Sequence, residues 1–110
     1  MTRIIVKSMV FAALIAALST LAGGNAMAQD GKALYAAKGC AACHGPDGKT
    51  PIMPVYPKLA GQNAPYMEQQ IKDFKANKRT NAQAALMVGM VAALTDPEIK
   101  AISDYLSKVK

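Results

Sequence analysis

The sequence predicts a small all-α domain, and three observations support this prediction. In three separate segments of residues 30–110, apolar residues recur at intervals of three and four positions, which is the spacing of amphipathic helices. No segment alternates polar and apolar residues as a half-buried strand would. The only two cysteines and the only histidine of the 110-residue chain stand within five consecutive positions, so one short segment concentrates the reactive side chains.

The N-terminal stretch has the pattern of a secretory signal peptide. Arg3 and Lys7 form a positive region, an apolar run covers residues 9–18, and Ala26-Met27-Ala28 is a small-residue cleavage site. The alternative is a retained membrane anchor, but the run is shorter than the roughly 20 apolar residues that span a bilayer. We therefore expect residues 1–28 to be cleaved and residues 29–110 to form one domain.

Removal of this leader changes the composition of the chain. The 52% hydrophobic content is inflated by the leader, and the remaining 82 residues suffice for one domain. Since Arg3 and Lys7 leave with it, 11 basic residues face 7 acidic ones, a net charge of +4. We expect no nucleic-acid partner and no membrane span after cleavage.

The first helix is predicted to start at Asp30, a plausible N-cap, and to end at Gly39. Residues 40–44 follow as Cys-Ala-Ala-Cys-His, the C-x-x-C-H pattern of covalent c-type haem attachment. Two thiols at this spacing can add to the two vinyl groups of one haem, and the adjacent imidazole can ligate the iron. A thioredoxin-type motif, a zinc site and a disulfide are weaker alternatives, because the required fold context, further ligands or an unstrained loop are missing.

The segment between this motif and the second helix is rich in proline and glycine, which excludes regular structure. Ile52, Met53, Val55 and Leu59 make it too apolar for a disordered linker. We therefore expect an ordered loop that covers a hydrophobic surface.

Two further amphipathic helices complete the domain. Asn63 is a cap candidate for the second, whose apolar face contains Met67, Ile71 and Phe74. Thr95 and Glu98 form a capping box that opens the last helix. The last helix then presents one apolar face, formed by Ile99, Ile102, Leu106 and Val109. A shorter apolar segment at 82–94 is predicted to be helical, although Gly89 weakens it.

Taken together, residues 30–110 resemble a bacterial class I monohaem cytochrome c, and especially one half of the small periplasmic dihaem cytochromes. The matching pieces are Gly31 with Tyr35, the motif at 40–44, Gly-Pro-Asp-Gly at 45–48, and the segments 57–62, 66–74 and 94–99. The resemblance implies a small cytochrome c fold, with N- and C-terminal helices crossing beside one covalent haem c held by Cys40 and Cys43. It also implies that Gly31 permits the close approach of these helices and that Tyr35 packs near Tyr105 or Leu106.

The iron ligand opposite His44 is expected to be a methionine. Of the candidates after the leader, Met67 lies on an apolar helix face and Met53 lies in the loop expected on the histidine side. In the family pattern the ligand precedes the hydrophobic residue at the start of the last helix by seven positions, which leads from Leu94 to Met87. Met90 remains the alternative.

The resemblance also implies a hydrogen bond from the second ring nitrogen of His44 to the carbonyl of Pro57. Alternatively, Pro57 only shapes the loop. The candidates for contacts with the haem propionates cannot be ranked from the sequence; they are Arg79, Lys58, Tyr56, Tyr66 and Gln62.

The function that the resemblance implies is one-electron transport in the periplasm, without catalytic residues. The alternative is a small haem subunit associated with a dehydrogenase, such as a sulfide-oxidising flavoprotein, or with a terminal reductase or oxidase. An open sixth iron position is disfavoured by the two methionines in the expected segment. We expect a monomer whose redox partners carry an acidic docking patch, with Lys38, Lys49 and Lys58 around the haem edge.

Overall fold

The computed structural model describes residues 30–110, so the predicted signal peptide lies outside the described residues. Within that range the fold contains helices and no strand. In chain order the helices are α1 (Gly31–Ala37), α2 (Ala41–His44), α3 (Ala64–Lys75), α4 (Ala84–Val91) and α5 (Asp96–Ser107). The all-α prediction is therefore confirmed, and none of these helices is long and apolar enough to cross a bilayer.

Helices α1 and α5 pack against each other, and they approach most closely at Gly31. A β-carbon at this position would collide with the Ala101 carbonyl and with Cβ of Tyr105, so only glycine fits. One turn later, the rings of Tyr35 and Tyr105 lie 6.0 Å apart at 58°, a tilted aromatic contact. Both expectations about this helix crossing are met.

Capping interactions define where the helices begin. Asp30 accepts a hydrogen bond from the Ala33 backbone N–H at the start of α1, and Asn63 accepts one from Tyr66 at the start of α3. Thr95 and Glu98 form the predicted capping box of α5. The Glu98 carboxylate lies 3.2 Å from the Lys38 ammonium at the end of α1, which links the two helices again.

One apolar core joins α1, α3 and α5. Its fully buried side chains include Tyr35, Ile99 and Leu106, and the predicted α3 positions Met67 and Phe74 are buried with them. Ser103 is also buried on the inner face of α5, where the sequence analysis predicted only apolar side chains. Val109, predicted on the same face, lies beyond the end of α5 and is half-buried.

Helix α4 is shorter than the predicted segment 82–94. Ala82 has φ +50°, the left-handed region, so the helix starts only after it, at Ala84. Its eight residues are all apolar or glycine, and Ala84, Met87 and Val91 face the core. Leu86 and Met90 are exposed on the opposite face. A helix that is apolar all round is normally covered on both sides.

Candidate haem-binding site

The two cysteines stand on a single turn of helix, which the sequence did not predict. Cys40 is the N-cap of α2 and Cys43 lies within its four residues. Residues three positions apart in a helix project from the same face, so both thiols point to one side. Neither forms a disulfide within the described residues, both are half-buried, and burial raises the pKa of the Cys40 thiol before the haem is attached. This spacing suits addition of both sulfurs to one planar haem.

His44, the last residue of α2, is buried, with 5% of its surface exposed. Its Nδ1 lies 2.9 Å from the carbonyl oxygen of Pro57, so Nδ1–H is the donor and the expected contact is present. This tautomer leaves the lone pair of Nε2 available for a metal. A hydrogen bond of this kind orients the imidazole and raises its basicity as a ligand.

The backbone that follows His44 is held in place by its surroundings. Gly45 has φ +89°, and a β-carbon there would collide with the carbonyl of Thr50. The buried hydroxyl of Tyr35 donates a 2.6 Å hydrogen bond to the Gly45 carbonyl, and burial raises the pKa of Tyr35 to about 12. The backbone N–H of Ile52 donates to the Cys43 carbonyl at 3.1 Å. These contacts fix the position of the histidine from three directions.

The loop after the motif contributes an apolar wall. Ile52, Met53 and Val55 are all exposed, which is unusual for three large apolar side chains so close in sequence. The Tyr56 ring lies 6.4 Å from the imidazole of His44. The loop is ordered by backbone bonds from Leu59 and Ala60 to the Gly48 carbonyl, as its apolar character predicted.

The four methionines after the leader occupy different environments. Met67 is buried in the core, as expected, and Met53 is exposed on the loop. Met87 is half-buried and packs against the core. Met90 is 48% exposed, and a β-carbon on Gly39 would lie 3.3 Å from its Cε, so its methyl group rests on the backbone beside Cys40.

These residues fit a haem. Two thiols on one helical turn and an imidazole with a free Nε2 supply the bonding groups, and the exposed apolar side chains of the loop and of α4 supply a surface suited to a porphyrin face. The haem fit also explains why α4 is apolar on the face that α3 does not cover.

Two of the three lysines expected around the haem edge form ion pairs with neighbouring carboxylates. Lys38 is paired with Glu98, and the Lys49 ammonium lies 4.0 Å from the Asp47 carboxylate. Lys58 has no ion pair within residues 30–110. The sequence could not reveal the Lys38 pairing, since its partner lies 60 positions further along the chain.

Among the residues proposed for the propionates, Arg79 has other contacts. Its guanidinium lies 4.7 Å from the centre of the Phe74 ring and donates a hydrogen bond to Gln70 at 2.9 Å. These contacts fold Arg79 back onto α3.

Comparisons with known proteins agree with this site. A family model described as Cytochrome c matches residues 28–110. Cytochrome c-554(548) of Halomonas halodenitrificans is 44% identical over 68 residues, which cover 62% of this chain and 81% of that protein. Cytochrome c-553 of Nitratidesulfovibrio vulgaris is 37% identical over 109 residues, covering 99% of this chain and all of that protein.

Among solved structures, reduced recombinant cytochrome c4 from Pseudomonas stutzeri superposes with a TM-score of 0.64 at 32% identity. The match covers 77% of this chain and 49% of that one. The chain thus corresponds to about half of cytochrome c4, as the resemblance implied. It therefore belongs to the cytochrome c family and is an electron-transfer protein, not an enzyme, with one haem c covalently bound through Cys40 and Cys43.

Proposed function

We propose that this protein is a diffusible periplasmic electron carrier whose haem iron is ligated by His44 and Met87. The observation that carries the proposal is the buried His44, whose Nδ1–H is engaged by Pro57 and whose Nε2 is thereby reserved for iron. When bound, the haem supplies one-electron chemistry through its ferric and ferrous states. The chain's own residues hold the group, exclude water and tune its potential.

The choice of Met87 over Met90 rests on where α4 places each side chain. Met87 shares the core-facing side of the helix with Ala84 and Val91. Met90 lies on the exposed side, and its methyl group packs on Gly39. Met87 and Cys40 are both half-buried against the same core, and Met87 stands seven positions before Leu94, the spacing that the resemblance implies for the ligand. A thioether there favours ferrous iron and raises the reduction potential, which suits a carrier.

A periplasmic location follows from the predicted leader. The family match begins at residue 28, where the sequence predicts the end of the signal peptide. Export and covalent haem attachment are coupled in the bacterial proteins that this chain resembles. We infer that cleavage after Ala28 releases a chain that starts at Gln29.

The alternative function, a haem module that serves one particular enzyme, has one observation in its favour. A relative from Stutzerimonas stutzeri, 36% identical over 89 residues, is named thiosulfate dehydrogenase electron acceptor. The matched region is 40% of that protein, so the present chain corresponds to one part of it. We propose that the chain's electron donor is a periplasmic dehydrogenase. A stable complex with such an enzyme is the second candidate function.

The test starts from the full chain produced in bacteria that mature c-type cytochromes. The purified protein should have the mass of residues 29–110 plus one haem, and acid–acetone extraction should leave the pigment on the polypeptide. The ferric protein should show the weak near-infrared band of sulfur-to-iron charge transfer. Full release of the pigment would refute covalent attachment, and an unprocessed chain would refute export. Copurification with a dehydrogenase would favour the second candidate over the free carrier.

A further inference from the structure

Lys75, the last residue of α3, makes an unusual long-range contact. Its ammonium donates a hydrogen bond of 2.5 Å to the backbone carbonyl of Leu94, nineteen positions further along the chain. Leu94 is buried and lies in the turn between α4 and α5. The contact therefore joins the end of α3 to the segment that directly follows the methionine-bearing helix.

A simpler role for Lys75 would be to cap its own helix, since cations favour helix C-termini. The end of α3 is already capped by its own backbone, however. The N–H groups of Ala76, Asn77 and Lys78 bond to carbonyls of the last turns of α3. No carboxylate within residues 30–110 pairs with Lys75. The ammonium is instead directed to a neutral carbonyl on another element.

That contact is the only hydrogen bond that ties segment 80–94 to other parts of the described chain. The backbone bonds of the segment that lie outside its helix run between its own residues, from Ala84 to Asn81, from Ala85 to Ala82, from Leu86 to Gln83 and from Leu94 to Val91. Gln83, at the N-cap of α4, makes no side-chain cap. Ala82 holds a left-handed φ that costs an L-residue free energy. Apart from the Lys75 bond, packing alone holds the segment in place.

We propose that Lys75 is a positioning residue for the axial methionine: its bond to Leu94 holds segment 80–94, and with it Met87, against α3. The inference rests on the proposed ligation by Met87. A bond from a charged donor to a partly buried carbonyl is stronger than a neutral one. Its loss should raise the population of states in which the segment has moved away while the rest of the fold stays intact.

The test compares Lys75→Met with Lys72→Met in the mature ferric holoprotein. Both changes remove one positive charge from α3 and keep an unbranched stem, but no hydrogen bond of the Lys72 ammonium is present within the described residues. Cyanide binds ferric iron only when the methionine has left, so its apparent affinity measures the open population. We expect Lys75→Met to raise that affinity about tenfold and Lys72→Met to leave it unchanged. Lys75→Arg keeps a donor, so its cyanide affinity should stay close to that of the unsubstituted protein.

A second readout separates positioning from general stability. In Lys75→Met the near-infrared band should disappear on heating several degrees before the far-ultraviolet dichroism of the helices changes. Equal cyanide affinities in the two variants, or simultaneous loss of band and helicity, would overturn the positioning role while leaving Met87 as ligand. Absence of the band from the unsubstituted protein would instead refute ligation by methionine and the positioning role with it.

Discussion

The two sides of the haem site are built differently. On the histidine side, Tyr35, Pro57 and Ile52 each make a hydrogen bond to the motif or to the residue after it, and Gly45 is packed against Thr50. On the methionine side, a single helix of eight residues packs on α3, and one hydrogen bond from Lys75 secures its far end.

The two sides therefore have different roles: the histidine side holds the haem, and the methionine side carries the proposed sulfur ligand. The histidine side carries the covalent bonds and has little room to move, because buried polar contacts constrain it from several directions. We expect the methionine side to open more readily, since few hydrogen bonds must break for α4 to move away. We therefore expect the haem to stay in place under conditions that disturb the proposed ligation by Met87, and each of the following changes tests one side against the other.

The largest effect is expected from a matched pair of glycine substitutions. Gly45→Ala forces a side chain into the left-handed region and against Thr50, which should cost about 3 kcal/mol of unfolding free energy or prevent maturation. Gly89→Ala on α4 meets no protein atom within 4 Å and needs no left-handed φ, so it should change the unfolding free energy by less than about 1 kcal/mol. Denaturant titration of both holoproteins measures the contrast. Similar losses in the two variants would contradict the difference between the sides.

Removal of the proposed sulfur ligand tests the methionine side directly. Met87→Ala should abolish the near-infrared band and lower the unfolding free energy by about 2 kcal/mol, because a half-buried side chain that fills space is also lost. Met90→Ala, three positions away and exposed, should keep the band. Near-infrared absorbance of the two ferric variants makes the distinction. Loss of the band in Met90→Ala and its survival in Met87→Ala would assign the iron ligand to Met90.

A smaller effect is expected from the Tyr35 hydroxyl on the histidine side. Tyr35→Phe keeps the ring in the core but leaves the Gly45 carbonyl without its partner, at a cost of about 1–2 kcal/mol. The matched control is Tyr66→Phe, whose hydroxyl lies on a half-exposed ring. The near-infrared band should survive in both variants, since neither change touches the methionine side.

The same hydroxyl gives a signed pH dependence. The pKa of Tyr35 is raised from 10.0 to about 12 in the folded protein, mainly by burial. Between these values the unfolded chain loses the proton first, so stability falls as pH rises from about 10 to 12. Tyr35→Phe should flatten this decline in unfolding free energy. An unchanged slope would mean that other groups cause it.

Local sequence signals predicted the fold well where the relevant partners are near in sequence. The capping box of Thr95 and Glu98 fixed the start of α5, and the spacing of Met67 and Phe74 gave the buried face of α3. The C-x-x-C-H motif indicated the haem because its chemistry is contained in five residues. A resemblance to a family was needed for Gly31 and Pro57, whose partners lie far along the chain.

Other features depend on packing that no local pattern encodes. The left-handed φ of Ala82 shortens α4, although alanine is the strongest helix former. The bond from Lys75 to Leu94 and the pair of Lys38 with Glu98 span 19 and 60 positions, so they arise only once the helices have docked. The docking prediction therefore changes: of the three lysines expected around the haem edge, Lys58 is the one without an ion pair in the described part of the chain.

The smallest effect concerns which side faces an acidic redox partner. Lys58 directly follows Pro57 on the histidine side, whereas Lys78 lies between α3 and α4 on the methionine side. Surface charges steer association over about 8 Å at physiological salt, so electron transfer should slow as ionic strength rises. Lys58→Glu should slow it several-fold more than Lys78→Glu or Lys100→Glu, which alter the net charge equally.

Stopped-flow reduction at a series of salt concentrations measures this. A rate that is flat or rises with salt would mean that the docking patch of the partner is not acidic, and a larger effect at Lys78 would move the docking face to the methionine side.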